Sequence, residues 1–302
     1  MKVPPAVAWL RLAGICLACV VAANSALAAD QWRLTLRSYA KAQKQGEDTL
    51  RIEEKKATWD PKKTAVIICD MWDDHWCKSA ARRVGELAGP MNELVKRCRA
   101  DGAFIIHAPS SVVSYYKDTP QRRLAQTAPF AKPPIALSTT ERWGTAWCWP
   151  DSVREPDLPI DDSDMGCDCA VKCKIREAWT REISTIEIAP EDAITDNGQE
   201  TYNLLQARGI ENVVLMGVHL NMCVLGRPFG IRQMVKVGKK VALMRDMTDT
   251  MYNPDKRPKV SHFEGTDLVI KHVEQYWCPS FASSDITGGA PFRFKDDKRL
   301  RF

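Results

Sequence analysis

Asn212-Val213-Val214-Leu215-Met216-Gly217-Val218-His219-Leu220-Asn221-Met222-Cys223 is the stretch that decides how this chain is read. A continuous apolar run closed by a glycine reads as a strand covered on both faces. The short turn after it hands the chain to a run of helical character, with Cys223 at the handover. There the unpaired N–H groups of a helix start and the helix dipole favour a thiolate, and we expect a depressed pKa. Cys223 is therefore a candidate nucleophile. The alternative is a small buried hydrophobe, the common fate of a free cysteine.

Working outward, the same grammar repeats. Thr64-Ala65-Val66-Ile67-Ile68-Cys69-Asp70 is a second apolar run, followed by an amphipathic helix predicted over 79–100 with Val84, Leu87, Met91, Leu94 and Val95 on one face. Asp101-Gly102 ends it, and Ala103 to His107 forms the next strand. A strand is also expected over 184–189. Asn197, with Glu200 three residues on, marks a helix start that Gly209 closes. Arg227-Pro228 interrupts the run after Cys223, so a fresh helical start is expected near Pro228. A strand at 241–244 and a helix over 265–276 complete the pattern. The alternation predicts a doubly wound, mostly parallel α/β sheet with helices on both faces, spanning 63–290.

Between about 108 and 182 the pattern lapses into a stretch rich in proline, tryptophan and cysteine. A segment this long without elements is functional or disordered, and Trp143, Trp147, Trp149 and Trp179 argue for an ordered excursion.

The ends read differently from the middle. Lys2 and Arg11 precede the apolar stretch 12–23, and Ala26-Leu27-Ala28 supplies a signal-peptidase pattern, so 1–28 reads as a signal peptide and the protein as exported, to the periplasm or beyond. The stretch is too short to span a bilayer, and no stable membrane insertion is expected after cleavage. Residues 29–62 read as a polar N-terminal extension and 291–302 as a solvated basic tail. The formal charge of +5 falls when Lys2 and Arg11 leave, which implies no nucleic-acid partner. A small-molecule substrate is the expected partner, with a homo-oligomer left open. Cys16 and Cys19 would leave with the signal, and the remaining count is odd. In an oxidising compartment at least one thiol then stays unpaired, and Cys223 is our choice.

In parallel α/β sheets, ligands bind beyond the carboxyl ends of the strands. Asp70 ends one strand, His107 the next, and Cys223 follows a third. Asp70 can take the thiol proton and return it to a leaving group. His107 and Trp72 are candidates for the pocket, and His219, beside the nucleophile, could donate a hydrogen bond to it. The other reading of Asp70 is a carboxylate capping a loop. His75, His262 and His272 show no ligand spacing.

The strand ending in Asp70-Met71-Trp72-Asp73 and the run Gly217-Val218-His219-Leu220-Asn221-Met222-Cys223-Val224 resemble the two signatures of the isochorismatase-like cysteine hydrolases, a family that includes nicotinamidases and other small amidases. The resemblance covers roughly 63–285. It implies thioester formation at Cys223, a cis peptide between Val218 and His219, and an oxyanion hole made by the N–H groups of His219 and Cys223. Two departures stand out. The family's lysine should end the strand before the Cys-bearing unit, yet 184–189 leads into Pro190-Glu191-Asp192, so either another cation polarises the thiolate or the thiol is less activated. The Asp-x-His cluster that holds metal in nicotinamidases is missing at His107-Ala108-Pro109-Ser110, which counts against a metal, any other cofactor, and nicotinamide as substrate.

Cys148, Cys167, Cys169 and Cys173 could hold zinc by number. In an exported chain we expect at least one disulfide among them instead. Three functions follow in order: an exported cysteine hydrolase cleaving a small amide or related carbonyl or enol-ether substrate, a catalytically impaired relative that binds a small ligand or partner, and a thiol redox or zinc-binding protein.

Overall fold

The computed structural model describes residue 1, residues 30–44 and residues 47–299. Apart from Met1, the leader expected over 1–28 lies outside the described residues, among which no helix is long and apolar enough to cross a membrane.

Strands β1 (Trp32–Lys44) and β2 (Glu47–Trp59) form an antiparallel hairpin. They are followed by β3 (Thr64–Cys69), α1 (Lys78–Ala100), β4 (Phe104–Ala108) and α2 (Pro120–Gln126). The excursion contributes the two-residue strands β5 (Glu141–Arg142) and β6 (Thr145–Ala146), then β7 (Ala193–Ile194). The second half runs α3 (Gly198–Ala207), β8 (Asn212–Val218), α4 (Ile231–Lys236), β9 (Lys240–Asp249), α5 (His262–Tyr276), β10 (Ser280–Phe281) and α6 (Ser284–Thr287). One eight-stranded sheet has the order β2-β1-β10-β9-β8-β3-β4-β7. Every pair from β10 to β7 is parallel, while β1 joins β10 and β2 antiparallel. This is the doubly wound, mostly parallel class expected.

Alternation along the strands explains the two cores. Ala65, Ile67 and Cys69 face one apolar cluster with Leu204, Leu205, Met234, Val269 and Val273 of α3, α4 and α5. Val66 and Ile68 face the other with Val84, Leu87, Met91 and Leu94 of α1. The period of two in β3 and of 3.6 in α1 thus put apolar side chains on facing surfaces.

Four expectations change. Residues 29–62 are no polar lead-in: Trp32, Leu34 and Trp59 bury on one face of the β1–β2 hairpin. No strand forms over 184–189, because β4 pairs instead with Ala193 and Ile194 at Ile106 and His107. The helix expected near Pro228 starts three residues later, at Ile231. The tail is docked, with Phe294 stacked on Phe263 at 5.5 Å and Arg299 paired with Asp267 at 2.7 Å. The excursion packs onto the helices of the sheet. Its Glu155 is buried against Arg232 of α4 at 2.7 Å and His272 of α5 at 2.8 Å.

Candidate active site

Asp70 leaves β3 with a positive φ of 49°, its backbone N–H bonded to the Ala108 carbonyl at 3.2 Å. Its side chain is fully buried, and Oδ1 accepts the Ser110 N–H at 2.7 Å. Beside β3, β8 carries Gly217 at a φ of 102°, where a Cβ would lie 2.1 Å from the Cys69 carbonyl oxygen. Only glycine lets the two strand ends approach this closely. The next peptide, Val218–His219, is cis, as the resemblance implied. Residues 220–224 then make one wide helical turn, not a regular helix start, in which the Met222 and Val224 N–H groups both bond the His219 carbonyl. Asn221 ties this turn to the end of β9, accepting the Met251 N–H at 2.9 Å and donating to Asp162 at 2.8 Å.

The buried thiol of Cys223 lies close enough to Asp70 and Arg227 to feel both charges, while Asp70 Oδ2 and Arg227 Nε have no hydrogen-bond partner among the described residues. Arg227 Nε sits 3.5 Å from Asp70 Oδ2, and both side chains are buried. Arg227 Nη1 donates to the carbonyls of Arg142 and Trp143 and to the Thr145 hydroxyl, so the β5–β6 hairpin holds the guanidinium in place. Gly226 makes room for that hairpin: a Cβ there would lie 2.3 Å from the Trp147 ring. The cation that the sequence did not reveal is therefore Arg227, one turn beyond Cys223. At the end of β7, where the resemblance calls for lysine, the chain has Thr195-Asp196, and Asp196 accepts the Ser111 N–H at 2.9 Å.

The electrostatics correct one expectation. Burial pushes the Cys223 thiol up, and the neighbouring Asp70 carboxylate pushes it further, against the pull of Arg227. The thiol is thus not depressed in the free protein, because a dry site disfavours the anion. Burial also raises Asp70 above its ordinary value, while Arg227, Cys223 and Ser110 hold it back. A raised carboxylate is a stronger base than an ordinary aspartate, while the raised thiol gives up its proton less readily.

A cavity of about 340 Å³ opens onto Cys223, lined by Trp72, Trp76, Trp143, Trp179, His219 and Arg227 among others. Trp72 stacks on Trp179 at 4.3 Å, and Asp73 accepts the Thr180 N–H and hydroxyl, keeping Trp179 there. His219 borders the thiol with its Nε2 unpartnered; burial and then His75 hold its pKa well below 6.5, so it is neutral. Trp72 is where it was expected. His107 is not. Its ring is fully buried, bonded to Glu182 at 2.7 Å and Asp192 at 3.0 Å, and lies outside the cavity lining. The strand that brings its carbonyl side to the site turns this side chain into an internal ion network.

All nine described cysteines are free thiols, so the disulfide expected in the excursion is not present among them. Cys148 stands apart from Cys167, Cys169 and Cys173, with its N–H on the Gly226 carbonyl at 2.7 Å.

Strand order, the Asp70 strand end, the cis peptide and the Cys223 turn together give the doubly wound, mostly parallel α/β fold expected from the resemblance, and it buries a carboxylate, a thiol and a guanidinium side by side. Among solved structures, a cysteine hydrolase from Pseudomonas syringae pv. phaseolicola aligns over 76% of this chain and 92% of its own, at 16% identity and a TM-score of 0.47. An isochorismatase from Pseudomonas putida aligns over 75% and 91%, at 10% identity and a TM-score of 0.44. An isochorismatase family protein from Burkholderia thailandensis aligns over 76% and 96%, at 14% identity and a TM-score of 0.42. No family model matches the sequence, and no curated protein matches it.

Proposed function

We propose that this chain is an exported cysteine hydrolase that cleaves a small amide through a thioester at Cys223. The observation that carries the reading is that Cys223 and Arg227 line an aromatic cavity, with the buried Asp70 carboxylate 3.5 Å behind Arg227 and its Oδ2 without a hydrogen-bond partner among the described residues. In the proposed cycle, Asp70 takes the thiol proton as the sulfur attacks the carbonyl carbon, and the carbonyl electron pair moves to oxygen. The N–H groups of His219 and Cys223 receive that oxyanion. Collapse expels the amine, which leaves with the proton from Asp70. Water, deprotonated by Asp70, then cleaves the thioester and the proton returns to sulfur. Arg227 keeps a positive charge beside whichever partner, carboxylate or thiolate, is anionic at each step. The stacked Trp72 and Trp179 favour a substrate with a flat, apolar body.

The test is ammonia release across a panel of small aromatic and aliphatic amides. Cys223→Ala should abolish turnover, and Asp70→Asn should lower kcat about 10²-fold or more with KM little changed. A second reading, a ligand-binding relative without catalysis, draws on Asp196 in the expected lysine's place and on the raised thiol. Flat amides that bind wild type and Cys223→Ala equally, with no product from either, would establish that reading and defeat the first.

A further inference from the structure

The sulfur atoms of Cys77, Cys167 and Cys169 lie within 4.8 Å of one another. Cys173 stands beside these three, close enough to Cys167 and Cys169 to interact with them electrostatically, although Cys77 is at least ninety residues from the others in sequence. We propose that Cys77, Cys167, Cys169 and Cys173 bind one Zn²⁺ as a structural tetrathiolate site. Cys77 was not in the group singled out from the sequence, and Cys148, which was, has no part in it.

Geometry separates this site from a disulfide. Cys77 Sγ and Cys169 Sγ are 3.8 Å apart. Zinc–sulfur bonds of about 2.3 Å in a tetrahedron put neighbouring sulfurs about 3.8 Å apart, whereas a disulfide needs about 2.05 Å. The surroundings suit thiolates. At the start of the 23-residue helix α1, the Ser79 N–H donates to Cys169 Sγ at 3.3 Å. The Ser79 hydroxyl lies 3.1 Å from Cys169 Sγ. Such donors orient a thiolate ligand and spread its charge, the outer-shell pattern of a metal site. Asp168, inside the cluster, pairs with buried Arg83 at 2.7 Å, a cation it shares with Asp249 at 2.6 Å, so the carboxylate does not add to the thiolate charge unopposed. A tetrahedral all-sulfur set selects zinc or iron–sulfur chemistry, and a closed mononuclear set without a vacancy suits redox-inert zinc. Binding forms one Zn–S bond per cysteine and releases a proton to solvent from each thiol still protonated.

The site has a consequence for the pocket. It clamps residues 167–173 onto α1, and the chain that follows supplies Ile175, Arg176, Glu177 and Trp179 to the cavity wall. Zinc would therefore set the shape of the pocket without touching substrate. That consequence rests on the hydrolase reading, but the metal site does not.

The test is elemental analysis of the full chain purified without chelator, together with its Cys77→Ser, Cys169→Ser and Cys148→Ser variants. One zinc per chain is expected in wild type and Cys148→Ser, and loss of it in the other two. Should either variant fail to fold, Co²⁺ exchanged into wild type decides instead: tetrahedral thiolate coordination gives an intense sulfur-to-cobalt band and strong visible bands. Protein that carries no zinc and develops no such bands, or peptide maps showing a disulfide among these four, would overturn the site. A chain that holds zinc but hydrolyses nothing leaves the site standing and counts only against the hydrolase reading.

Discussion

Arg227 is the residue on which the chemistry turns. Its guanidinium is locked by the β5–β6 hairpin and faces Asp70 and Cys223 together. The carboxylate is raised first by burial, with Arg227 the strongest influence holding it down. Removing the charge in Arg227→Met should therefore raise Asp70 further and move the acid limb of kcat/KM to higher pH. Arg227→Lys should shift the limb less, because the charge survives even though the forked geometry is lost. A fall of about 10²-fold or more in kcat is expected for Arg227→Met. A pH profile with its acid limb unmoved would show that Arg227 only supports the fold. Because the Cys223 thiol is raised and not depressed, alkylation of the free protein should be slower at Cys223 than at an exposed model thiol near neutral pH. Sequence reading passed over Arg227 because Pro228 marked the pair as a helix breaker. The signal was its spacing of four from Cys223, which puts both on one side of a helical turn.

Among the elements, those with an internal period were legible and those defined by their neighbours were not. The apolar runs of β3 and β8 and the amphipathic face of α1 each carry their own pattern, so their bounds came out within a few residues. The β1–β2 hairpin hid behind Arg33, Arg37, Glu54 and Lys56, charges on one face, while Trp32 and Leu34 bury on the other. Residues 184–189 alternate like a strand, but only Ile186 and Ala189 are buried, and the edge of β4 goes to β7 instead. His107 shows the same dependence on neighbours, since its partners Glu182 and Asp192 come from the excursion and its aftermath. Burial alone would lower its pKa, but the two carboxylates lift it from 6.5 to about 9. The protonated form is thus favoured by folding. The stabilisation is complete below about pH 6.5 and lost as pH rises through about 9. Urea midpoints should fall between about pH 6 and pH 9.5 in wild type, and His107→Gln should be less stable at low pH with a flatter profile. Parallel profiles for the two proteins would remove His107 from that pH dependence.

At the scale of the whole molecule, the sheet separates the proposed active site from much of the stability. Cys223, Trp72 and Trp147 belong to the apolar cluster on one face, while Trp32, Leu34, Leu87 and Leu94 belong to the cluster on the other. The hairpin carrying Leu34 lies at the sheet edge, separated from β8 by β10 and β9. Leu34 is fully buried, so Leu34→Ala should cost about 2–5 kcal/mol through lost transfer energy and the cavity left behind. Asp70, Cys223 and Arg227 touch none of the atoms removed, and below the unfolding transition kcat and KM on any substrate found should stay at their wild-type values. Because both clusters share one sheet, they should also unfold together, with tryptophan fluorescence and far-ultraviolet circular dichroism giving the same lowered midpoint. A midpoint that moves in one probe alone would show that the hairpin unfolds as a separate unit, and a changed kcat in still-folded protein would show that the edge strands help shape the site.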